Sequence, residues 1–273
     1  MAVELAGARI LLTGASSGIG RATAIALSRA GAKLAVGSRR HERLVALAAE
    51  LAPATVFPFT VDVADRGACE RFVEEGVRAL GGLDVLVNIA GVGQWMAVRD
   101  TAPELFDRLL KTNVYGPYWL THAALPHLEA RGRGAIVNVS SALAHRALPN
   151  LTTYCATKAF LNRFSEGLRV EVRRRGVDVI VVSPGIVASE FAEVAIRAGG
   201  GGERGRPAGA APETVARAIV RGLTAKRPPR EIFPQRQGQL FRTLNPHVPA
   251  LFDRAFRKMV DELPHGSSSK PLT

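Results

Sequence analysis

Tyr154 and Lys158 stand four residues apart in Tyr154-Cys155-Ala156-Thr157-Lys158, a spacing that projects both side chains from one face of a helix. A phenol with its ordinary pKa of ~10 exchanges protons poorly at neutral pH. A neighbouring ammonium favours the phenolate and lowers that value, and Lys158 is placed to act in this way and to reach a ribose of a bound cofactor. Ser141 lies thirteen residues before the tyrosine, and its hydroxyl is the kind of donor that polarises a carbonyl oxygen as charge develops on it. The three residues suit proton exchange with an oxygen bonded to carbon. A lone Tyr–Lys pair at this spacing is also an ordinary amphipathic helix face, so this chemistry needs a second motif beside it.

That motif is Thr13-Gly14-Ala15-Ser16-Ser17-Gly18-Ile19-Gly20, between an apolar run and a helical pattern. Small residues let the backbone approach a pyrophosphate, and a helix N-terminus offers free N–H groups and the positive end of its dipole. Gly20 would allow close packing of helix on sheet. The spacing is G-x-x-x-G-x-G rather than the commoner G-x-G-x-x-G, and any tight turn uses glycine, so context carries the reading. The end of the second strand then chooses the dinucleotide. An acid there bonds a ribose 2′-OH, whereas a nearby base takes a 2′-phosphate. Here the chain reads Gly37-Ser38-Arg39-Arg40. Ser38 can donate a hydrogen bond and Arg39 can pair bidentately with phosphate, so NADP(H) is expected ahead of NAD(H).

Both motifs need a scaffold, and the hydrophobic pattern supplies one. Strands are expected at Ala8–Thr13, Lys33–Ser38, Thr55–Val61, Val85–Asn88, Ala135–Ser140 and Val177–Ser183. Helical periods fall between them at Gly18–Ala30, Glu42–Leu51, Asp65–Leu80, Ala102–Ala130 (interrupted near Gly116-Pro117) and Tyr154–Arg175. Alternation of this kind, with continuously apolar strands, predicts an α/β fold: a doubly wound parallel sheet in three layers, as a single domain. Ligands on such sheets bind beyond the carboxyl ends of the strands, where both motifs lie. A helix at Pro212–Leu223 and a last strand at Arg230–Phe233 complete the pattern.

Composition is that of a globular protein, 47% hydrophobic and 22% charged over 273 residues. No run approaches the ~20 apolar residues of a membrane span, and the first residues lack the pattern of a secretory signal. The two cysteines, Cys69 and Cys155, have no metal spacing and make no disulfide framework, so a reducing cytoplasm is expected. No metal is expected, since the six histidines show no ligand pattern. The net charge of +12 comes from scattered arginines without a nucleic-acid motif and is read as a solvated surface. His145 is expected to be a surface-loop histidine rather than one facing a substrate, and Cys155 a packed bystander.

Together these residues resemble the short-chain dehydrogenase/reductase family, in its classical subgroup, over about residues 5–235. Thr13–Gly20 matches the family's T-G-x-x-x-G-x-G. Asn88-Ile89-Ala90-Gly91 is close to its N-N-A-G, with Ile89 replacing the second Asn. Asn113, Ser141, Tyr154 and Lys158 match its catalytic set, and Pro184-Gly185 its P-G turn. The resemblance implies a Rossmann-type fold and a hydride exchanged between a nicotinamide and a carbonyl or alcohol carbon. Tyr154 would be the acid/base, Ser141 the polarising donor, and Asn113 would position a water linking Lys158 to solvent. It also implies that the cofactor meets Gly14, Ser16, Ser17, Gly18, Ile19 and Gly20, Ser38 and Arg39, Asp62 and Val63 at the adenine, and Asn88, Ala90 and Gly91 at the adenosine ribose. Pro184, Gly185, Val187 and Ser189 would meet the nicotinamide. Two departures stand out: Ser189 replaces a more usual Thr, and Ser17 stands where NADP-preferring members often carry a base. Family members are commonly dimers or tetramers.

The same resemblance places substrate choice in the segment after the sixth strand, here about 188–211, with Phe191, Val194 and Ile196 ahead of Gly199-Gly200-Gly201-Gly202. Gln94, Trp95 and Met96 are expected to form another wall, which points to an apolar substrate. Residues 236–273 extend beyond the family's short tail. Leu251, Phe252, Ala255, Phe256, Met259 and Val260 fall at helical spacing among basic residues, a stripe expected to pack on the body or a partner subunit, with attachment to a membrane surface as the alternative. The rival readings are a non-catalytic dinucleotide sensor on the same fold and the same chemistry with NAD(H).

Overall fold

The computed structural model describes residues 2–191, 196–197 and 208–261. The apolar runs become strands β1 (Arg9–Thr13), β2 (Lys33–Ser38), β3 (Val56–Thr60), β4 (Val85–Asn88), β5 (Gln94–Trp95), β6 (Gly134–Val139), β7 (Val177–Val182), β8 (Ile196–Arg197) and β9 (Glu231–Ile232). The helices are α1 (Gly18–Arg29), α2 (His41–Glu50), α3 (Arg66–Leu80), α4 (Pro103–Leu110), α5 (Gly116–Ala130), α6 (Thr152–Val172), α7 (Pro212–Thr224), α8 (Arg236–Leu244) and α9 (Pro249–Asp261). Local chemistry sets several boundaries. Asp65 caps α3 by accepting from the Ala68 N–H, Gly81 ends that helix in the left-handed region, and Pro103 and Pro212 open α4 and α7.

Seven strands form one parallel sheet in the order β3-β2-β1-β4-β6-β7-β9. Successive side chains on a strand point to opposite faces, and here both faces are covered. Ile10 and Leu12 of β1 pack with Leu27 of α1, Leu44 and Leu47 of α2, and Val215, Ile219 and Leu223 of α7. Leu11 packs on the other face with Phe72 and Val73 of α3, Leu120 and Leu128 of α5, and Leu168 of α6. This is the expected three-layer, doubly wound α/β domain. The strand order reverses between β1 and β4, which opens a crevice at their carboxyl ends.

The expected interruption of the long helix near Gly116-Pro117 is a π-helical turn at Lys111–Tyr115, immediately ahead of it and carrying Asn113. Such turns hold one residue more than the α-helical repeat and often mark functional sites. The pair β5–β8 was not foreseen: two residues on each side join the turn after β4 to the segment after β7. Val194, the tetraglycine and the tail beyond Asp261 lie outside the described residues.

In the C-terminal region α8 lies against the turn after β6, so close that a Cβ on Gly238 would meet Ala142 at 3.1 Å. The Arg146 guanidinium sits over the rings of Phe252 and Phe256 at 5.5 and 5.3 Å, hydrogen-bonds Asn245 Oδ1 and pairs with Asp253. Phe241 is buried and meets Phe252 edge-on. The aromatic side of the stripe thus packs on the body, while Leu240, Leu244, Val248 and Leu251 are exposed. No helix among the described residues is long and apolar enough to cross a membrane.

Candidate functional site

Two turns at the crevice are fastened together. Thr13, the last residue of β1, accepts hydrogen bonds from the N–H groups of Ile89 (3.3 Å) and Ala90 (3.4 Å) in the turn after β4. Gly14 is in the left-handed region (φ 78°), and a Cβ there would lie 2.8 Å from Ala90 N. A Cβ on Gly20 would lie 2.0 Å from the Gly14 carbonyl oxygen. Both positions therefore exclude any side chain. The N-terminus of α1 has no side-chain cap and no acid in its first turn, which leaves its N–H groups and dipole open to an anion. This cradle fits a pyrophosphate.

A second basic group stands near it beside the expected Arg39. Arg39 is exposed, while the Arg40 guanidinium reaches back over the turn to Ser16 Oγ (2.9 Å) and Ser17 Oγ (2.7 Å). Arg40 also pairs with Glu190 at 2.9 Å, and Arg43, one turn into α2, pairs with the same carboxylate at 2.9 Å. The two arginines hold that carboxyl below its usual range by direct hydrogen bonds. Ser38 is buried and accepts from the Arg40 N–H at 3.1 Å, so its hydroxyl shapes the turn. Asp62 is exposed and accepts from the Ala64 N–H, and Val63 is buried beside it.

Asn88 departs from expectation. It falls on the α5 face of β4, is buried, and donates to Asn138 Oδ1 at 2.8 Å on the neighbouring strand. Its side chain braces the sheet under α5 rather than lining a ribose. Ala90 and Gly91 do reach the crevice. A Cβ on Gly91 would lie 3.2 Å from Asn113 Oδ1 and 3.4 Å from Lys158 Nζ. The fully buried Asn113 accepts from the Val92 N–H and donates to the Val92 carbonyl, both at 2.9 Å, and donates to Thr157 Oγ1 at 3.1 Å. Its amide is thus spent on protein groups that frame Lys158.

Ser141, Tyr154 and Lys158 meet at the end of β6. Ser141 Oγ accepts from the Leu143 N–H at 3.1 Å, and its hydroxyl acts on the Tyr154 phenol to lower its pKa against burial. Lys158 donates to the Val139 carbonyl at 3.0 Å, and Ser140 Oγ donates back to the Lys158 carbonyl. Burial without a carboxylate partner lowers the lysine from its ordinary 10.5 to about 8. Burial raises the Tyr154 phenol, and the Ser141 hydrogen bond opposes it only in part. The expected lowering by Lys158 is therefore not in force in this state: its ammonium lies 6.0 Å from the phenol ring centre and is turned to Val139.

Pro184 and Gly185 are held from both sides. The Pro184 carbonyl accepts from the Ala142 N–H at 2.7 Å. Gln235 accepts from the Gly185 N–H at 2.8 Å and donates to the Ile186 carbonyl. Val187 bridges to Ala210. Ser189 is buried over Gly18, 3.1 Å from where a Cβ would stand. The Phe191 ring lies 5.8 Å from that of Tyr154, and Trp95 pairs in register with Arg197. Gln94 is fully buried and bonded to Thr101, so it supports this wall without lining it.

His145 is neither a surface residue nor one facing the substrate region. It bonds Glu231 at 2.7 Å, and Ser183 donates to the same carboxylate oxygen. Cys155 is buried, and burial raises its thiol, as expected for an inert bystander. Arg40, Arg43, Glu190 and Gln235 were not singled out from the sequence. Arg40 and Arg43 had a readable signal, one helical turn apart beside Arg39, whereas Glu190 and Gln235 are brought in from far along the chain.

A parallel sheet with an anion cradle at its reversal, and a tyrosine, a lysine and a serine beside it, defines a fold of the dinucleotide-binding type. The family model for short chain dehydrogenase matches residues 8–198, and the chain belongs to that family. It is 36% identical over 202 residues to dehydrogenase/reductase SDR family member 7B of Bos taurus, covering 70% of this chain and 61% of the relative. A probable oxidoreductase of Mycobacterium tuberculosis is also 36% identical, with 83% of this chain matching 41% of that protein. The chain thus spans about two fifths to three fifths of these relatives. Among solved structures, a short-chain dehydrogenase from Streptomyces avermitilis superposes with a TM-score of 0.79 at 30% identity, over 93% of this chain and 98% of that one. A metagenomic short-chain oxidoreductase in complex with NADP gives 0.72 at 29% identity (85% and 98% covered). A 3-ketoacyl-(acyl-carrier-protein) reductase of Brucella melitensis complexed with NADH gives 0.73 at 28% identity (81% and 92% covered). Structural relatives therefore bind either nicotinamide dinucleotide.

Proposed function

We propose that this protein is an NADP(H)-dependent reductase or dehydrogenase acting on an apolar ketone, aldehyde or secondary alcohol, with Tyr154 as its acid/base. The observation that carries the reading is the convergence of Ser141, Tyr154 and Lys158 beside the glycine cradle. The bound nicotinamide supplies the hydride chemistry. Gly14, Ser16, Ser17, Gly18, Ile19 and Gly20 would hold the pyrophosphate, Asp62 and Val63 the adenine, Ala90 and Gly91 a ribose, and Pro184, Gly185, Val187 and Ser189 the carboxamide end. NADP(H) is preferred because β2 ends without an acid and Arg40 lays its guanidinium on Ser17, where the chain itself has no base. Arg39 adds a second, exposed cation.

Ser141 holds the substrate oxygen, and Tyr154 gives that oxygen a proton in reduction or takes it in oxidation. Burial favours the neutral phenol, the form that acts as the acid. Asn113 acts on Lys158 by fixing Val92 and Thr157 around it. The Phe191 ring beside Tyr154 suits an apolar substrate. Tyr118 and Phe160 are exposed on α5 and α6 beside Phe164, a surface suited to a homo-oligomer of a cytoplasmic protein. The exposed leucines of α8 and α9 are where a lipid surface would make contact.

The test is fluorescence titration with NADPH and NADH, followed by turnover with a panel of apolar ketones and aldehydes. Preferential NADPH binding, with turnover lowered about 10²–10⁴-fold in Tyr154→Phe at unchanged cofactor affinity, is the expected result. Tight NADPH binding without turnover of any carbonyl would favour a dinucleotide sensor.

A further inference from the structure

We propose that Glu190 is a built-in competitor for the cofactor's 2′-phosphate, so that it sets dinucleotide preference and ties phosphate binding to the position of the substrate wall. The inference rests on the assignment of the arginines after β2 to that phosphate. Three observations carry it. One carboxylate from the segment after β7 takes both Arg40 and Arg43, each at 2.9 Å. Arg40 is at the same time anchored on Ser16 and Ser17 of the cradle, so Glu190 sits at the rim of the anion site. Its neighbours on either side are Ser189, packed over Gly18, and Phe191, whose ring meets Tyr154.

A phosphate dianion and a carboxylate seek the same guanidinium edges. Arginines that hold Glu190 are only partly available to a 2′-phosphate, whereas a cofactor with a free 2′-OH has no call on them. Phosphate binding therefore displaces Glu190, and the displacement pulls on the two residues that touch the cradle and the phenol. By linkage, any substrate that draws residues 189–191 away from the arginines strengthens binding of the phosphorylated cofactor by the same factor.

The test uses Glu190→Gln, which keeps shape and removes charge, with Glu190→Ala as a second variant and thermal melting as a check on folding. Affinities for NADPH and NADH, and for the fragments adenosine 2′,5′-bisphosphate and ADP, are measured by titration calorimetry. Two partly exposed ion pairs contribute modestly each, so the variants should bind NADPH and the 2′,5′-bisphosphate about three- to twentyfold more tightly. NADH and ADP should stay within about twofold. Equal tightening of all four ligands, or none, overturns the proposal. Arg40→Gln separates the two levels: weaker NADPH binding there with a neutral Glu190→Gln refutes the competitor alone. Indifference of NADPH to Arg39, Arg40 and Glu190 together removes the NADP(H) reading as well.

Discussion

Replacing Lys158 with methionine should make the protein more stable and catalytically dead. Lys158 is 5% exposed, and its ammonium donates to the Val139 carbonyl. Lowering its pKa from 10.5 to about 8 by burial corresponds to about 3 kcal/mol held against the folded state at neutral pH. Methionine fills the same space without charge. It leaves the Val139 carbonyl without this donor, a loss of about 1 kcal/mol, so a net gain of about 2 kcal/mol is expected. Between pH 8 and 10.5 the unfolded lysine binds more protons than the folded one, so the wild type gains stability from this site as pH rises through that window. Cys69, Cys155 and Tyr154, all raised by burial, titrate alike in both proteins and cancel in the difference. Urea unfolding of the cofactor-free proteins from pH 6.5 to 10 should therefore show Lys158→Met ahead at pH 7 and the gap closing towards pH 10. A variant less stable at pH 7, or a gap independent of pH, would refute the reasoning.

Gly20→Ala would place a methyl 2.0 Å from the Gly14 carbonyl oxygen; a loss of about 1–3 kcal/mol in thermal or urea unfolding is expected, with the cradle spread and dinucleotide affinity lowered. Tyr118→Asp with Phe160→Asp puts charge on the exposed aromatic surface of α5 and α6 and should reduce the mass seen by light scattering without unfolding the chain; unchanged mass would remove that surface as an interface. Arg146→Leu loses contacts to Phe252, Phe256, Asn245 and Asp253 together, so limited proteolysis should cut ahead of α9 faster than in the wild type.

The sheet and the glycine turn were legible because both depend on local pattern. Ile10, Leu11 and Leu12 form a run that must be covered on both faces, and Gly14 and Gly20 stand where the chain has room for no side chain. The Tyr–Lys spacing likewise follows from one helix. Long-range partners were not legible. Nothing near Glu190 announces arginines 147 and 150 residues earlier, and the choice between Arg39 and Arg40 depends on which side chain turns over the cradle. Asn88 differs in another way: the family resemblance places it at a ribose, while strand alternation sends its side chain under α5 to Asn138. His145 misled because its partner, Glu231, lies 86 residues further along the chain.

The knot around Glu231 has a consequence for how the molecule assembles during synthesis. The nucleotide cradle is complete within the first ninety or so residues, and Tyr154 and Lys158 emerge on the helix after β6. The arm that carries Ser141, however, is fastened by His145 to Glu231, by Asn245 to the His145 carbonyl, and by Arg146 to α9. A growing chain can thus form the glycine cradle well before the serine has its final support. The hydrogen bonds that secure the reactive arm close over 86 to 107 residues and form only when β9 and the C-terminal helices are present. A chain stopped after α7 would keep the glycine cradle, while the Ser141 arm would lose its ties to Glu231, Asn245 and α9 and keep its backbone bond to Pro184.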